Sequence, residues 1–169
     1  MAETYQNIIH PFAPVWDAQA RALVLGTFPS VRSRENAFYY GHPQNRFWRL
    51  LATLYAQPEP TTIAEKTAFL ICQRIALWDV LASCDIVGSA DQTIRQPVPN
   101  DIASRLAGSS GMQVFANGQT AAALYRRYIE PSCGVPILTL PSTSPANTAW
   151  SLSRLQDAWQ PLRQATLSP

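Results

Sequence analysis

Four short apolar runs predict the strands of one sheet. Turn residues follow three of these runs, at Gly26, Asn117 and Pro141. The predicted strands occupy residues 23–26, 75–81, 112–116 and 135–140, and the predicted helices occupy 45–55, 60–73, 102–106, 119–128 and 151–165. Strands that alternate with helices favour parallel pairing and helices on both faces. We therefore predict an α/β fold: a three-layer α/β/α sandwich around a central, mainly parallel, four-stranded sheet.

The rest of the chain carries weaker patterns. Residues 1–20 contain Pro11 and Pro14, and we predict an irregular entry segment with His10 as a surface or packing residue. Residues 84–101 are predicted as loop. With 169 residues, of which 47% are hydrophobic, the chain can build one well-buried core, so we expect a single domain over 1–169.

The segment after the first predicted strand is too polar and aromatic for a plain connector. Seven such side chains fall within eleven positions: Phe38, Tyr39, Tyr40, His42, Asn45, Phe47 and Trp48. Ligand sites of α/β proteins lie in loops that leave the carboxyl ends of parallel strands. We therefore expect an active site at this strand end.

Two residues in the predicted elements allow both a structural and a functional interpretation. Asn45 stands at the entrance of a predicted helix, where its side chain could cap free backbone N–H groups or act in chemistry. Asp79 interrupts the apolar segment 75–81, and a buried carboxylate costs several kcal/mol unless it is paired. Asp79 is therefore either a structural hydrogen-bonding residue or one that faces a ligand.

Composition narrows the function classes. The formal charge is +2, and Lys66 is the one lysine among thirteen basic residues. Arginine suits phosphate contacts, and Arg32, Arg34, Arg46 and Arg49 flank the aromatic segment, although solvated surface arginines would give the same pattern. Three widely spaced cysteines suggest reduced, mostly buried thiols. We expect a cytoplasmic protein, since neither a membrane-length apolar run nor a signal peptide is present.

Several familiar sites are missing from the sequence. It has no phosphate-binding glycine loop and no GxGxxG, which argues against a nucleotide cofactor. Two histidines without clustered acids or cysteines give little basis for a metal site. Ser142 and Ser144 lie outside any GxSxG motif, so a serine hydrolase is disfavoured. Aromatic faces, amides, hydroxyls and one carboxylate remain, a set that suits a planar heterocycle.

Three motifs carry a family resemblance. They are GTFPS at 26–30, YYGHPQNRFW at 39–48 and LPSTSPANTAW at 140–150. Together they resemble the uracil-DNA glycosylase superfamily, and IALWDVLASCD and FANG make the whole most similar to its hypoxanthine-DNA glycosylases, family 6. The HPxNRFW piece also resembles mismatch-specific uracil/thymine glycosylases. The resemblance runs from about residue 23 to 159 and implies the three-layer fold.

The resemblance assigns roles and exposes two departures. Most of the superfamily carries a water-holding Asp or Asn where this chain has Phe28, and a His or Asn where it has Ser142. The family 6 pattern instead implies Asn45 as the catalytic residue, which would orient water and stabilise positive charge on the sugar. It implies a stacking role for Tyr40. The implied base-binding residues are Thr27, Phe28, Tyr40, Asp79 and Asn117, and the implied DNA-binding residues are His42, Arg46, Ser142, Ser144 and Asn147.

The function implied is base excision from DNA. We expect a monomeric glycosylase that removes hypoxanthine, with uracil and xanthine as further candidate substrates, and that needs no metal or cofactor. We expect it to be monofunctional, because Lys66, the one lysine, lies on a predicted helix away from the loops. One alternative is an enzyme for uracil or mismatched thymine. Another, favoured by Phe28, is a non-catalytic nucleic-acid-binding member of the fold. The sequence leaves these alternatives open.

Overall fold

The computed structural model describes residues 4–167 and contains two sheets. The strands are β1 (Gln6–Ile9), β2 (Ala22–Gly26), β3 (Ile75–Asp79), β4 (Leu81–Ile86), β5 (Arg95–Pro99), β6 (Gln113–Asn117) and β7 (Ile137–Leu140). The central sheet has the order β3-β2-β6-β7, and all its pairings are parallel. The smaller sheet has the order β1-β4-β5 and is antiparallel.

Helices cover the central sheet. They are α1 (Val31–Asn36), α2 (Phe47–Leu54), α3 (Ile63–Cys72), α4 (Ile102–Ala107), α5 (Gln119–Tyr128), α6 (Glu130–Cys133), α7 (Leu152–Ala158) and α8 (Gln160–Leu167). None of the helices within residues 4–167 is long and apolar enough to cross a membrane.

The central strand β2 explains the layered core. All five of its residues are buried, which is why its sequence is a continuous apolar run rather than an alternating one. Val24 packs in a cluster with Phe47 and Trp159. Leu25 packs in a second cluster with Ile102 and Tyr125. Two apolar clusters on either side of one parallel sheet confirm the predicted three-layer α/β/α architecture.

The small antiparallel sheet corrects two predictions. Residues 6–9 form β1 instead of an irregular segment, and β4 and β5 occupy much of the predicted loop 84–101. The predicted strand 75–81 is divided at Val80, whose N–H donates to the Gly26 carbonyl oxygen at 2.8 Å. The outer strands β1 and β5 are mostly exposed or half-buried, so they lack a strong apolar pattern.

Two short helices that were not predicted, α1 and α6, and one helix that is divided account for further differences. The short α1 has no apolar stripe, and its N-cap is Ser30, whose Oγ accepts from the Ser33 N–H at 3.1 Å. The predicted helix 151–165 is two helices, which end and begin on either side of Trp159. Cys84 is buried, Cys133 half-buried and Cys72 exposed, so the expectation of mostly buried thiols is wrong for Cys72.

We predict that Trp159→Phe destabilises the protein by about 1–3 kcal/mol. The indole is fully buried, and its Nε1–H donates to the Pro141 carbonyl oxygen at 2.9 Å, a bond that phenylalanine cannot make. Urea unfolding would measure the loss. The control is Trp150→Phe, whose half-buried indole lies beside the Arg154 guanidinium, and we expect it to cost less than about 1 kcal/mol. Equal losses in both variants would contradict this view of Trp159.

Candidate active site

A cavity of about 1130 Å³ opens at the carboxyl edge of the central sheet. It lies where β2, β3, β6 and β7 end, the edge at which parallel α/β sheets bind ligands. Ten of the eleven residues predicted for the site line it: Thr27, Phe28, Tyr40, His42, Asn45, Asp79, Asn117, Ser142, Ser144 and Asn147. Arg46 is the exception. The fold therefore gathers residues that are more than a hundred positions apart.

Asp79 is held by a histidine from the N-terminal segment. Its Oδ2 lies 2.7 Å from His10 Nε2, and each side chain is 5% exposed. A carboxylate can only accept, so His10 Nε2 carries the hydrogen. His10 Nδ1 faces the Phe12 N–H at 3.5 Å, and its ring meets that of Phe28 edge-on at 5.9 Å. His10 is thus a partner of a site residue, which the sequence analysis missed.

Gly26 lets the Asp79 side chain approach the end of β2. A Cβ on Gly26 would lie 2.4 Å from Asp79 Oδ1 and 2.9 Å from the Tyr40 hydroxyl oxygen. No side chain fits there, so glycine is a steric requirement. Because Gly26 is paired with Asp79 in the parallel register, the two strand ends meet at this point.

Tyr40 packs one ring face against a core aromatic residue. Its ring stacks on Phe47 with centroids 4.1 Å apart and an angle of 26° between the planes. Its backbone lies in the left-handed region at φ 53°, an uncommon conformation for a residue with a side chain. Within residues 4–167 its buried hydroxyl has no hydrogen-bond partner. Burial raises the pKa of Tyr40, the charge of Asp79 adds to the rise and polar contact with the Asn117 side chain opposes it, so the hydroxyl keeps its proton.

Asp91 is a second carboxyl group in the cavity wall, and the sequence analysis overlooked it. It begins a single 3₁₀ turn, Asp91–Thr93, within the segment predicted as loop. Burial raises the pKa of Asp91 to about 6, the charge of Asp79 adds to the rise, and polar contact with Thr27 opposes it. Nothing in the local sequence GSADQT marks this environment, which arises from the loop folding over the sheet edge.

Asn45 is held by two donors. Its Oδ1 accepts from the Phe47 N–H at 3.0 Å and from the Thr143 hydroxyl at 2.9 Å. Because the Phe47 N–H is a donor, the Asn45 atom that it faces must be the amide oxygen and not the amino group. No atom of residues 4–167 pairs with Asn45 Nδ2, so the amino group is the part of this side chain available to a ligand. Asn45 thus satisfies a free N–H at the start of α2, although the N-cap residue is Arg46, and its amino group remains free.

Asn117, at the end of β6, contacts the same threonine. Its Nδ2 donates to Thr143 Oγ1 at 2.9 Å, and its Oδ1 accepts from the Thr143 N–H at 3.0 Å. Thr143 is fully buried in the loop between β7 and α7. Thr143 lies within the motif LPSTSPANTAW, but no role for it could be predicted from sequence, because its partners lie far away in the chain.

Arg46 binds the protein instead of facing the cavity. Its guanidinium donates to the carbonyl oxygens of Ser144 at 2.9 Å and Asn147 at 3.0 Å, and also to that of Trp150. Its backbone N–H donates to the Thr143 carbonyl oxygen at 3.1 Å. These contacts tie the start of α2 to the loop after β7 and give Arg46 a bracing role within the protein.

Polar side chains of the loop after β7 also brace it. Ser142 Oγ accepts from the Ser144 N–H at 3.1 Å, and Asn147 Nδ2 donates to the Ser142 carbonyl oxygen at 2.9 Å. Ser144 Oγ accepts from the Ala146 N–H at 3.2 Å. His42 behaves similarly in its own loop, where Nδ1 accepts from the Gln44 N–H at 3.1 Å. Because the Ser142 and Ser144 hydroxyls accept hydrogen bonds in these contacts, each keeps its own hydrogen for donation to a ligand.

Comparison with known proteins identifies the family. The sequence profile described as "Uracil DNA glycosylase superfamily" matches residues 13–163. This chain belongs to the uracil DNA glycosylase superfamily. The solution NMR structure of a Methanosarcina acetivorans protein superimposes on this uracil DNA glycosylase superfamily member with a TM-score of 0.77 at 29% identity, covering 91% of this chain and 96% of the other.

Two relatives of this superfamily member carry the name Hypoxanthine DNA glycosylase. The Methanosarcina acetivorans protein is 29% identical over 150 residues, which are 88% of this chain and 94% of the relative. The Methanosarcina barkeri protein is 34% identical over 85 residues, which are 50% of this chain and 54% of the relative. The resemblance drawn from the three sequence motifs is thus confirmed.

Within this superfamily member, the cavity wall differs at the position of Phe28. At the position where the sequence analysis expects a water-holding Asp or Asn in most of the superfamily, Phe28 is 8% exposed and packs on His10. Lys66 lies outside the cavity, on α3, with Nζ 5.3 Å from the centre of a Trp48 ring. Within residues 4–167, no group of three or more His, Cys, Asp or Glu side chains could hold a metal ion.

We predict that Asp91→Asn stabilises the protein at pH 7.5 by about 1–3 kcal/mol but not near pH 4. Asp91 holds its proton up to about pH 6 when folded, against an ordinary pKa of 3.8. The native state therefore binds more protons than the unfolded state in that window, and wild-type stability falls as pH rises through it. Asparagine is uncharged at every pH, so the variant does not incur the cost of burying an ionised carboxylate at pH values above that window.

Urea unfolding at both pH values measures the effect. Asp157→Asn, at an exposed position on α7, is the surface control. A gain at pH 4 as large as that at pH 7.5 would contradict the ionisation of Asp91 as its cause.

Proposed function

We propose that this chain is a monofunctional DNA glycosylase that hydrolyses the N-glycosidic bond of deaminated bases, chiefly hypoxanthine in deoxyinosine. The observation that carries the proposal is the cavity in which the Tyr40 ring, the free amino group of Asn45 and the histidine-held carboxylate of Asp79 converge. Membership of the uracil DNA glycosylase superfamily and the names of the two relatives support it. Uracil and xanthine are further substrates within the same chemistry.

Base selection follows from hydrogen-bond polarity at Asp79. Hypoxanthine presents a ring N–H beside a carbonyl, and a carboxylate accepts from such an N–H. Adenine presents a bare ring nitrogen at that place, which a carboxylate repels. His10 occupies Oδ2, so Oδ1 is the oxygen left for the base. The pair therefore favours a deaminated purine over its undamaged parent.

Bond cleavage needs placement and charge stabilisation more than a strong base. The departing base gains electrons as the sugar becomes oxocarbenium-like. Because Oδ1 of Asn45 already accepts two hydrogen bonds, its amino group donates, either to the departing base or to the oxygen of the attacking water. This replaces the expectation that Asn45 stabilises positive charge on the sugar. Tyr40 supplies a ring for stacking on the extruded base.

The remaining contacts follow from the shape of the site. The hydroxyls of Ser142 and Ser144, with His42 and Asn147, line the cavity and would contact the DNA. Lys66 lies outside it, so the mechanism has no Schiff base and the product is an abasic site. We expect the protein to act on DNA as a monomer in the cytoplasm, without metal or cofactor.

We predict release of hypoxanthine from a deoxyinosine duplex by the wild-type protein. Asn45→Ala should lower the single-turnover rate by on the order of 10²–10³, the usual cost of losing one donor to a developing charge. Strand breaks after alkali report the abasic product. Gln44→Ala, at the exposed neighbouring position, should keep the wild-type rate. No breaks with deoxyinosine, deoxyuridine or deoxyxanthosine would sink the proposed function.

We also predict that Asp79→Asn lowers kcat/KM for deoxyinosine by about 10–100-fold, the equivalent of one lost acceptor in a buried site. Binding to undamaged duplex should be unchanged, because Asp79 would meet only an extruded base. Gel-shift titration and single-turnover kinetics measure the two quantities. If undamaged DNA binding fell in parallel, Asp79 would have a structural role rather than a base-reading one.

A uracil-directed enzyme is the second candidate. Asp79 favours it equally, since uracil also presents a ring N–H beside a carbonyl. The ratio of single-turnover rates on matched deoxyinosine and deoxyuridine duplexes, with a G:T mismatch as a third substrate, decides between them.

A further inference from the structure

A buried threonine hydroxyl connects the two amide side chains of the cavity. Thr143 is fully buried, and its side chain stands between Asn45 and Asn117. Its Oγ1 accepts from Asn117 Nδ2 at 2.9 Å and donates to Asn45 Oδ1 at 2.9 Å. Three residues from three separate segments thus share one chain of hydrogen bonds.

The direction of each bond in this chain is fixed by backbone groups at both ends. The Thr143 N–H needs an acceptor, so it faces Asn117 Oδ1 and turns Asn117 Nδ2 toward the threonine hydroxyl. The Phe47 N–H likewise faces Asn45 Oδ1. A hydroxyl has one hydrogen, and with Asn117 donating to it, that hydrogen goes to Asn45. The free group at the end of the chain is the Asn45 amino group.

The hydroxyl is separable from the anchoring of the loop. The Thr143 carbonyl oxygen accepts from the Arg46 N–H at 3.1 Å, and the Arg46 guanidinium holds the carbonyl oxygens of Ser144, Asn147 and Trp150. None of these bonds uses the threonine side chain. Removal of the hydroxyl therefore leaves the loop tied to α2 while it releases the Asn45 amide from one of its two donors.

We propose that Thr143 is a positioning residue, whose hydroxyl locks the Asn45 amide with its amino group available to the substrate and couples that amide to Asn117. The inference rests on the proposed function for its effect on rate. With the Phe47 N–H as sole partner, Oδ1 is held at a single point, so the plane of the Asn45 amide can swing about its terminal bond without losing that contact. The bound substrate would then meet a disordered donor, which lowers the chemical rate more than the affinity.

The first test is a set of matched variants assayed in single turnover on a deoxyinosine duplex. Thr143→Val keeps the shape without the hydroxyl, and Thr143→Ser keeps the hydroxyl. We expect a rate about 10–100-fold lower for Thr143→Val, with duplex affinity within about 2-fold, and Thr143→Ser within about 3-fold of wild type. In an Asn45→Ala background, Thr143→Val should change the rate by less than about 2-fold.

Three results would overturn the inference. They are a wild-type rate for Thr143→Val, failure of serine to restore the rate, and a full additional loss in the Asn45→Ala background. Thermal unfolding of each variant shows whether the fold is intact, and the serine variant keeps the test meaningful if valine does not fold.

A second variant tests the polarity of the chain without touching Thr143. Asn45→Asp keeps one oxygen for the Phe47 and Thr143 donors but replaces the free amino group with an acceptor. We expect Asn45→Asp to be as slow as Asn45→Ala at pH 7.5. A rate at or above wild type would show that an acceptor is needed there, and the proposed locking of a donor would be wrong.

Proton NMR separates this inference from the proposed function. A Thr143 hydroxyl buried in the hydrogen-bonded chain should give a slowly exchanging signal with contacts to the Asn45 side chain, and Thr143→Ser should preserve it. If the wild type released none of the three deaminated bases but gave this signal, the proposed function alone would fail. If it released hypoxanthine without this signal, the inference about Thr143 would fail.

Discussion

The cavity depends on hydrogen bonds between two segments that lie 98 residues apart in sequence, the start of α2 and the loop after β7. Arg46 supplies most of them, through its backbone N–H and a guanidinium that reaches three carbonyl oxygens. Buried carbonyl oxygens need donors, and the planar guanidinium can serve several at once. Two bonds between Asn117 and Thr143 hold the same loop to the end of β6, so the specific effect of Arg46 is to hold the loop against the start of α2, where Asn45 meets Thr143.

A second constraint acts at the opposite wall of the cavity, where a carboxylate is buried. Asp79 is 4% exposed, so it requires a partner. That partner comes from the small antiparallel sheet, in which β1 pairs with β4. His10 is the residue after β1, and its backbone N–H donates to the Ala82 carbonyl oxygen at 2.7 Å. The sheet that the sequence did not predict therefore delivers the histidine that holds Asp79.

Features of this fold that depend on neighbouring residues in the chain could be predicted from sequence, and features that depend on contacts between distant residues could not. Buried parallel strands such as β2 are continuous apolar runs, and the loops after them are rich in polar and aromatic residues, so the central sheet and the edge that holds the cavity were predictable from pattern. The ten individual cavity residues came from the resemblance of the motifs to a known family. Edge strands such as β5, with two prolines and exposed residues, resemble loops. His10, Asp91 and Thr143 gain their roles from partners distant in the chain, and no local pattern records such contacts.

The two walls differ in polarity, and this difference bears on the proposed chemistry. The Asp79 wall presents a hydrogen-bond acceptor, the carboxylate, of which His10 already binds one oxygen. The Asn45 wall presents a hydrogen-bond donor, the amino group, because the amide oxygen already accepts two hydrogen bonds. Neither the His10-bound carboxylate of Asp79 nor the amide of Asn45 is placed to act as a strong base on water, and the side chain of Phe28 has no basic group. An enzyme built this way must draw its rate from how well the departing base carries negative charge. Deaminated purines, with a carbonyl conjugated to the ring, are suited to that demand, and under the proposed role of Asp79 the carboxylate wall would admit their N–H and turn away adenine.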